Sequence, residues 1–221
     1  MRAIVLLSGG LDSAVTLLIA KKEYNFSIIA LTFDYGQRHK VEIENAKKLA
    51  QKYSAEKHII LKLPLTEIGG SALTDVNIEV PEGKVERNEI PVTYVPARNL
   101  IFLSYATAIA EVNDISDIFI GVNFIDYSGY PDCRPEFIKS FENTINVGTK
   151  AGVEGNKFKI HTPLIKMTKK DIILKGKELG LDFNLTHSCY NPDKNGNPCG
   201  KCDSCILRIK GFKEAGLEPI L

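Results

Sequence analysis

No stretch of this 221-residue chain carries an apolar run long enough to cross a membrane. The start, Met1-Arg2-Ala3-Ile4, offers only a brief apolar run before a glycine pair, so neither a signal peptide nor an anchor is read there and a cytoplasmic chain is expected. An excess of charge of one sign is missing too: 28 Lys and Arg against 27 Asp and Glu leave +1, with the two signs interleaved. That balance excludes a basic stripe for wrapping nucleic acid. Cysteine is scarce, five residues with four of them crowded near the C-terminus, which excludes the disulfide framework of a small secreted fold. There is no internal repeat and no low-complexity segment. The glycine pair near the start is not followed by Gly-Lys-Ser/Thr at the required spacing, so the Walker A loop is excluded as well. What is left is a length suited to one α/β domain with a small appendage, ample for a core.

The chain is organised around Ser8-Gly9-Gly10-Leu11-Asp12-Ser13. Before it, Ala3-Ile4-Val5-Leu6-Leu7 reads as a buried parallel strand, and after it Ala14 to Lys22 has apolar residues at helical spacing. A strand-loop-helix with two glycines lets a ligand approach the main chain, and the N–H groups of the first helical turn favour an anion there. Ser8 and Ser13 add hydroxyls. A carboxylate at Asp12 makes chemical sense beside phosphates if it helps hold a bridging Mg²⁺. The plainer reading of such a loop is a strand-to-helix turn with Ser or Asp as cap.

Further along, Ser27–Phe33 is a second strand ending at Asp34-Tyr35-Gly36-Gln37-Arg38-His39, and Val41–Tyr53 an amphipathic helix with Val41, Ile43, Ala46, Leu49 and Ala50 inward. Residues 57–63 form a third strand, with His58 on its polar face. Residues 64–91 are a long excursion of weak periodicity, a candidate lid. Val95-Pro96-Ala97-Arg98-Asn99 precedes an apolar helix from about Leu100 to Val112. Arg98 at that mouth opposes the helix dipole, a local cost that a bound anion would offset. A fourth strand, 117–122, leads into a loop rich in aromatics and hydrogen-bonding groups. Its Asp126, Tyr127, Tyr130, Asp132 and Arg134 suit a planar, polar ligand; a rigid loop that merely packs is the alternative. A helix over 137–147, a fifth strand over 159–164 and a helix begun by Thr168 complete the pattern, with Lys169 at the mouth of the last. The expected fold is an open parallel five-stranded sheet with helices on both faces. Ligands bind such sheets at the carboxyl edge.

Cys189, Cys199, Cys202 and Cys205 combine two overlapping Cys-x-x-Cys spacings with a fourth thiol across a loop, the ligand set of a tetrahedral zinc site. Two disulfides are disfavoured by the crowding of three thiols within seven residues. Four thiolates close the coordination shell, so the metal is expected to be structural, one Zn²⁺ per chain. Residues 1–185 are read as the catalytic domain and 186–221 as a metal-binding segment packed on it, with little core of its own.

Ser8-Gly-Gly-Leu-Asp-Ser13 in its strand-loop-helix context resembles the PP-loop of the N-type ATP pyrophosphatases, whose fold is Rossmann-like (adenine nucleotide α-hydrolase-like). That resemblance assigns ATP to Leu7, Ser8, Gly9, Gly10, Leu11, Asp12, Ser13, Ala14, Val15, Thr16 and Leu17. Together with Phe33-Asp-Tyr-Gly-Gln-Arg-His39, Val95-Pro-Ala-Arg-Asn99, Ser128-Gly-Tyr-Pro-Asp-Cys-Arg134, His161-Thr-Pro-Leu164 and the cysteines, the loop resembles the 7-cyano-7-deazaguanine synthase (QueC/ExsB) family from near residue 3 to about residue 210. Ala97 departs from it, since glycine is expected there.

The resemblance implies conversion of 7-carboxy-7-deazaguanine and ammonia, with ATP and Mg²⁺, into the nitrile through adenylated carboxylate and amide. It also implies a homodimer and no stable nucleic-acid partner. Catalytic roles then fall to Ser8, Asp12 (toward Mg²⁺), Ser13, Arg38, Arg98 and Lys169, and deazaguanine recognition to Asp126, Tyr127, Tyr130, Asp132 and Arg134. A nucleophilic Cys133 is not expected. A tRNA-thiolating relative would need a catalytic cysteine pair outside the cluster, and only Cys133 is left over.

Overall fold

The computed structural model describes residues 1–38, 40–83, 89–125 and 129–221. Its centre is β1 (Arg2–Leu6), flanked by β2 (Ser27–Asp34) and β4 (Asp117–Phe119), with β3 (Lys57–Lys62) and β5 (Lys159–His161) outermost. The order is β3-β2-β1-β4-β5 and every pairing is parallel. Because side chains alternate across a strand, β1 feeds two separate cores. Ala3 and Val5 join one, with α1 (Leu11–Lys22), α2 (Val41–Lys52), α6 (Lys169–Glu178) and Phe212 of α7 (Asp203–Glu214). Ile4 and Leu6 join the other, with Leu103 and Ala106 of α3 (Arg98–Val112) and Ile138 and Phe141 of α4 (Pro135–Gly148). A single-turn α5 (Lys150–Val153) follows α4. The five-stranded, two-faced sheet expected from the sequence is the one observed.

The topology locates the crevice. From β1 the chain moves one way to β2 and β3, then returns to β4 on the other side of β1. Connections after β1 and β4 therefore leave the sheet in opposite directions, opening a cleft at their carboxyl ends. Gly121, just past β4, lets that edge close on α1: a Cβ there would lie 3.0 Å from the Asp12 carbonyl oxygen and 2.9 Å from Thr16 Oγ1.

The apolar runs overstate the last two strands, which pair for only three residues each. The larger surprise is α7, in a segment expected to have little core of its own. Its moderate amphipathicity is masked by Arg208, which lies on the buried side at 1 % exposure. α7 packs tightly on α6 through Gly211, where a Cβ would fall 2.6 Å from Lys169 Cγ and 2.9 Å from Ile173 Cδ1. The excursion after β3 holds a short 3₁₀ turn (Leu65–Glu67), and its Ala72, Ile78 and Val80 pack on the cysteines.

Gly211→Ala is expected to cost about 1–3 kcal/mol of stability in urea unfolding by overpacking that contact. Gly148→Ala, at the end of α4 with no heavy atom within 4 Å, is expected to cost nothing. Equal midpoints for the two variants would refute the close-approach reading.

Candidate active site

The loop Ser8–Ser13 is pre-shaped by its own hydroxyls. Ser13 Oγ accepts from the Ser8 amide (3.1 Å) and donates to the Gly10 carbonyl (2.9 Å), while Ser8 Oγ accepts from the Gly10 amide (3.2 Å). The two hydroxyls lie 3.0 Å apart. Gly9 has φ +91°, and a Cβ on it would sit 2.0 Å from the carbonyl oxygen of Glu42, so the loop rests directly on the first turn of α2. Gly10 is the N-cap of α1 and no side chain caps that helix, leaving its first-turn dipole directed at the cavity.

Lys169 faces the loop from the opposite wall. Thr168 and Asp171 form a reciprocal capping box that fixes the start of α6, and Lys169 Nζ reaches both Asp12 oxygens at 2.8 and 2.9 Å. A second cation stands behind it. Arg208 lines the same cavity and, among the described residues, donates only to neutral oxygens: the carbonyls of Phe183 and Ile220 and the hydroxyls of Ser188 and Thr186. Burial pulls its pKa down to about 10, with Asp12 opposing, so it stays charged at neutral pH. Two cations against one carboxylate leave this end of the cavity positive.

The other end is aromatic. Phe33 stacks on Phe102 at 4.1 Å, and Tyr35, Tyr130 and Tyr190 share the wall. Tyr130 is fixed by a 2.7 Å bond with Thr93 Oγ1, and burial raises its pKa. Arg98 stands among them. Burial alone would lower its pKa, but Tyr35, Asp132, Cys133 and Tyr130 hold it above the ordinary value. Burial, with the Asp132 charge beside it, pushes Cys133 up to about 12, which leaves a protonated thiol at neutral pH and no nucleophile.

Of the residues singled out from sequence, Leu7, Ser8, Gly10, Leu11, Asp12, Ser13, Arg38, Arg98, Tyr130 and Lys169 line one cavity. Others do not do what was expected of them. Arg38 lines the cavity and donates through Nε and one amino nitrogen to the carbonyls of Ala72, Asp75 and Ile78, fastening the excursion. Asp132 is buried and turned to the start of α3, where Oδ2 accepts from the Asn99 amide (3.0 Å): it caps a helix and does not line the cavity. Arg134 is exposed at the N-cap of α4, outside the cavity. Ala14, Val15, Thr16 and Leu17 are body residues of α1, buried away from the cavity, with three of them in the first core. Asp126 and Tyr127 lie outside the described residues, as does His39. Sequence reasoning missed His187, Tyr190, Arg208 and Glu42 as cavity residues; the first three are brought in by the C-terminal segment.

The ligand atoms of Cys189, Cys199, Cys202 and Cys205 all lie within 4.8 Å of one another. Backbone amides point at them: Asn191 and Cys199 at Cys189 Sγ (3.3 and 3.2 Å), Lys201 and Cys202 at Cys199 Sγ (both 3.4 Å), and Tyr190 at Cys202 Sγ (3.4 Å). Such donors stabilise thiolates, so the donor set fits a metal ion. The group also ties the cavity wall to the excursion, through a bridge between Glu82 and Cys202 and a bond from the Gly83 amide to the Lys201 carbonyl (3.1 Å).

The family model described as queuosine biosynthesis protein QueC matches residues 2–216. The chain belongs to the QueC family. Relatives named 7-cyano-7-deazaguanine synthase include one from Syntrophus aciditrophicus, 60% identical over 98% of this chain and 95% of its own length, and one from Hydrogenovibrio crunogenus, 56% identical over 98% and 93%. Among solved structures, the NMN synthetase of Francisella tularensis covers 99% of this chain and 79% of its own (TM-score 0.53, 17% identity). A predicted tRNA methyltransferase subunit from Methanocaldococcus jannaschii covers 99% and 90% (TM-score 0.52, 17% identity). At that identity the two share only the fold. Among the described residues no helix is long and apolar enough to cross a membrane.

Within the QueC motif around Arg98, the structure explains the position where glycine was expected. Ala97 is the N-cap of α3 with φ +54° and ψ 20°, left-handed backbone that costs a non-glycine residue about 1–2 kcal/mol. Glycine gives back about 0.4–1 kcal/mol through the unfolded chain. Ala97→Gly is therefore expected to raise stability by up to about 1 kcal/mol in urea unfolding. A lower midpoint would show that the αL strain is absent.

Proposed function

We infer that this chain is an ATP-dependent ligase that converts 7-carboxy-7-deazaguanine and ammonia into 7-cyano-7-deazaguanine, releasing AMP and pyrophosphate. The observation that carries the reading is one cavity with two chemically distinct ends, positive at Ser8–Ser13, Lys169 and Arg208 and aromatic at Phe102, Tyr130 and Tyr190, in a chain of the QueC family. Anionic phosphates suit the first end and a planar heterocycle the second.

A carboxylate resists attack by ammonia because oxide leaves poorly. Transfer to the α-phosphate of ATP gives an acyl adenylate and pyrophosphate. The charge developing on pyrophosphate meets the α1 dipole, the Ser8 and Ser13 hydroxyls, and the Lys169 and Arg208 cations. Ammonia then displaces AMP to give the amide. Adenylation of the amide oxygen lets that atom leave as AMP as well, and the nitrile remains. Asp12 would hold Mg²⁺, with Lys169 beside it to neutralise the phosphates. When bound, the metal ion supplies charge neutralisation at those oxygens. Arg98 is assigned to the substrate carboxylate, and Tyr130, with Asp126 and Tyr127, to the deazaguanine.

Zinc is assigned to the four cysteines as a structural ion, with residues 186–221 as the metal-binding segment on a 1–185 ATP-binding body. A cytoplasmic homodimer acting on small molecules, without stable nucleic-acid binding, completes the reading.

Purified protein with ATP, Mg²⁺, ammonium and 7-carboxy-7-deazaguanine is expected to yield the nitrile and AMP by mass spectrometry. ATP turnover dependent on some other acid, or on tRNA, would overturn the substrate. Metal analysis is expected to find one zinc per chain. Chelation or Cys205→Ser is expected to lower unfolding stability by about 3 kcal/mol or more, as linkage requires of an ion held at 100-fold its dissociation constant. Unchanged stability on chelation would remove the structural role.

A further inference from the structure

We propose that Glu42 is the base that takes protons from the reacting nitrogen as the adenylated carboxyl becomes amide and then nitrile. This rests on the reaction inferred above. Ammonia carries three hydrogens and the nitrile nitrogen none, so the site must accept protons at both stages, and the phosphate loop has no group suited to that.

Glu42 stands where the two ends of the cavity meet. Its backbone carbonyl is the group Gly9 packs against, which places the first turn of α2 directly on the phosphate loop. Its side chain lines the cavity and feels the charge of Arg98 across it, while Arg98 and Tyr35 mark the aromatic end. The α-phosphate and the substrate carboxyl must come together between these two. The other carboxylate of the cavity, Asp12, is held through both oxygens by Lys169. Among the described residues no hydrogen bond or ion pair claims the Glu42 carboxyl. Burial pushes it up to about 7, with Arg98 opposing the shift, so it exchanges protons at the pH where ammonia is used.

Two other neighbours are poor bases at neutral pH: the Tyr35 phenol is raised by burial and the Cys133 thiol stands near 12. Arg98, Lys169 and Arg208 are cations. His187 also lines the cavity, at the loop end, where its amide bonds the Gly9 carbonyl (3.0 Å).

In the first stage ammonia adds to the acyl adenylate carbon, its C–N bond forming as the carbonyl pair moves to oxygen. Glu42 removes one N–H proton, and the tetrahedral adduct collapses with loss of AMP to give the amide. In the second, the amide oxygen bonds the α-phosphorus of ATP with loss of pyrophosphate, leaving a nitrogen with two hydrogens. Glu42, having returned its proton to water, removes one. After passing that proton to water in turn, Glu42 takes the other as the C–O bond breaks, which expels AMP and completes the triple bond.

The test separates adenylation from proton removal. Glu42→Gln is expected to keep ATP–pyrophosphate exchange dependent on 7-carboxy-7-deazaguanine within tenfold of the unaltered enzyme, which also reports its folding. Amide and nitrile formation, followed by mass spectrometry, is expected to fall by about 10²-fold or more. With free ammonia held constant across the series, the unaltered enzyme should gain rate as pH rises through about 7, where the carboxyl becomes the carboxylate base, and Glu42→Gln should lose that limb. Nitrile formation retained in Glu42→Gln, or exchange lost in parallel with it, would overturn the assignment. Absence of acid-dependent exchange in the unaltered enzyme would instead refute the functional reading, and the assignment would fall with it.

Discussion

The pair between Lys169 and Asp12 joins the two sides of the crevice, and much of the site depends on it. Asp12 belongs to the first turn of α1 and Lys169 to the first turn of α6, elements 157 residues apart in the chain. Both side chains are largely removed from water, at 20 % and 8 % exposure. Breaking such a pair costs more than its formation contributes, because one charge is left buried alone. The surroundings are arranged to hold it: the Thr168–Asp171 box sets the start of α6, and Gly211 lets α7 lie flat on the Lys169 stem. Through α7 the same contact carries Arg208 to the cavity.

The cysteine group acts on this arrangement from outside. Its sulfurs are packed under Ala72 and Val80 on one side and lead into α7 on the other. Arg38, at the end of the segment following β2, bonds the carbonyls of the excursion that covers them. A metal held at the four thiols would fix Tyr190 and Arg208 relative to the Ser8–Ser13 loop. The excursion is a wall of the cysteine cluster as much as a covering for the cavity.

Much of this was legible in the chain. Short apolar runs separated by helical patterns located the five strands, and their parallel order follows from the helices between them. The loop Ser8–Ser13 and the cysteine spacings are local chemistry, and local chemistry survives in sequence. For Arg38, Asp132 and Arg134 the chain left the partner open for one reason. A charged side chain in a loop reads the same whether it meets a ligand, a helix N-terminus or a stray carbonyl. Glu42 was hidden differently, as one of two acids on a helix of ordinary amphipathic pattern.

The sequence by itself determined the sheet, the glycine loop, the cysteine cluster and the family, because each is set by residues close together in the chain or by a pattern with a fixed period. Tertiary structure decided which polar side chains face the cavity and which are consumed in holding the fold. It also decided that Arg208 and Tyr190, from the far end of the chain, stand beside a loop at its beginning. Hydrogen-bond partners and burial are properties of the packed chain. No spacing rule records that Asp132 is taken by the Asn99 amide while Glu42 remains open to the cavity.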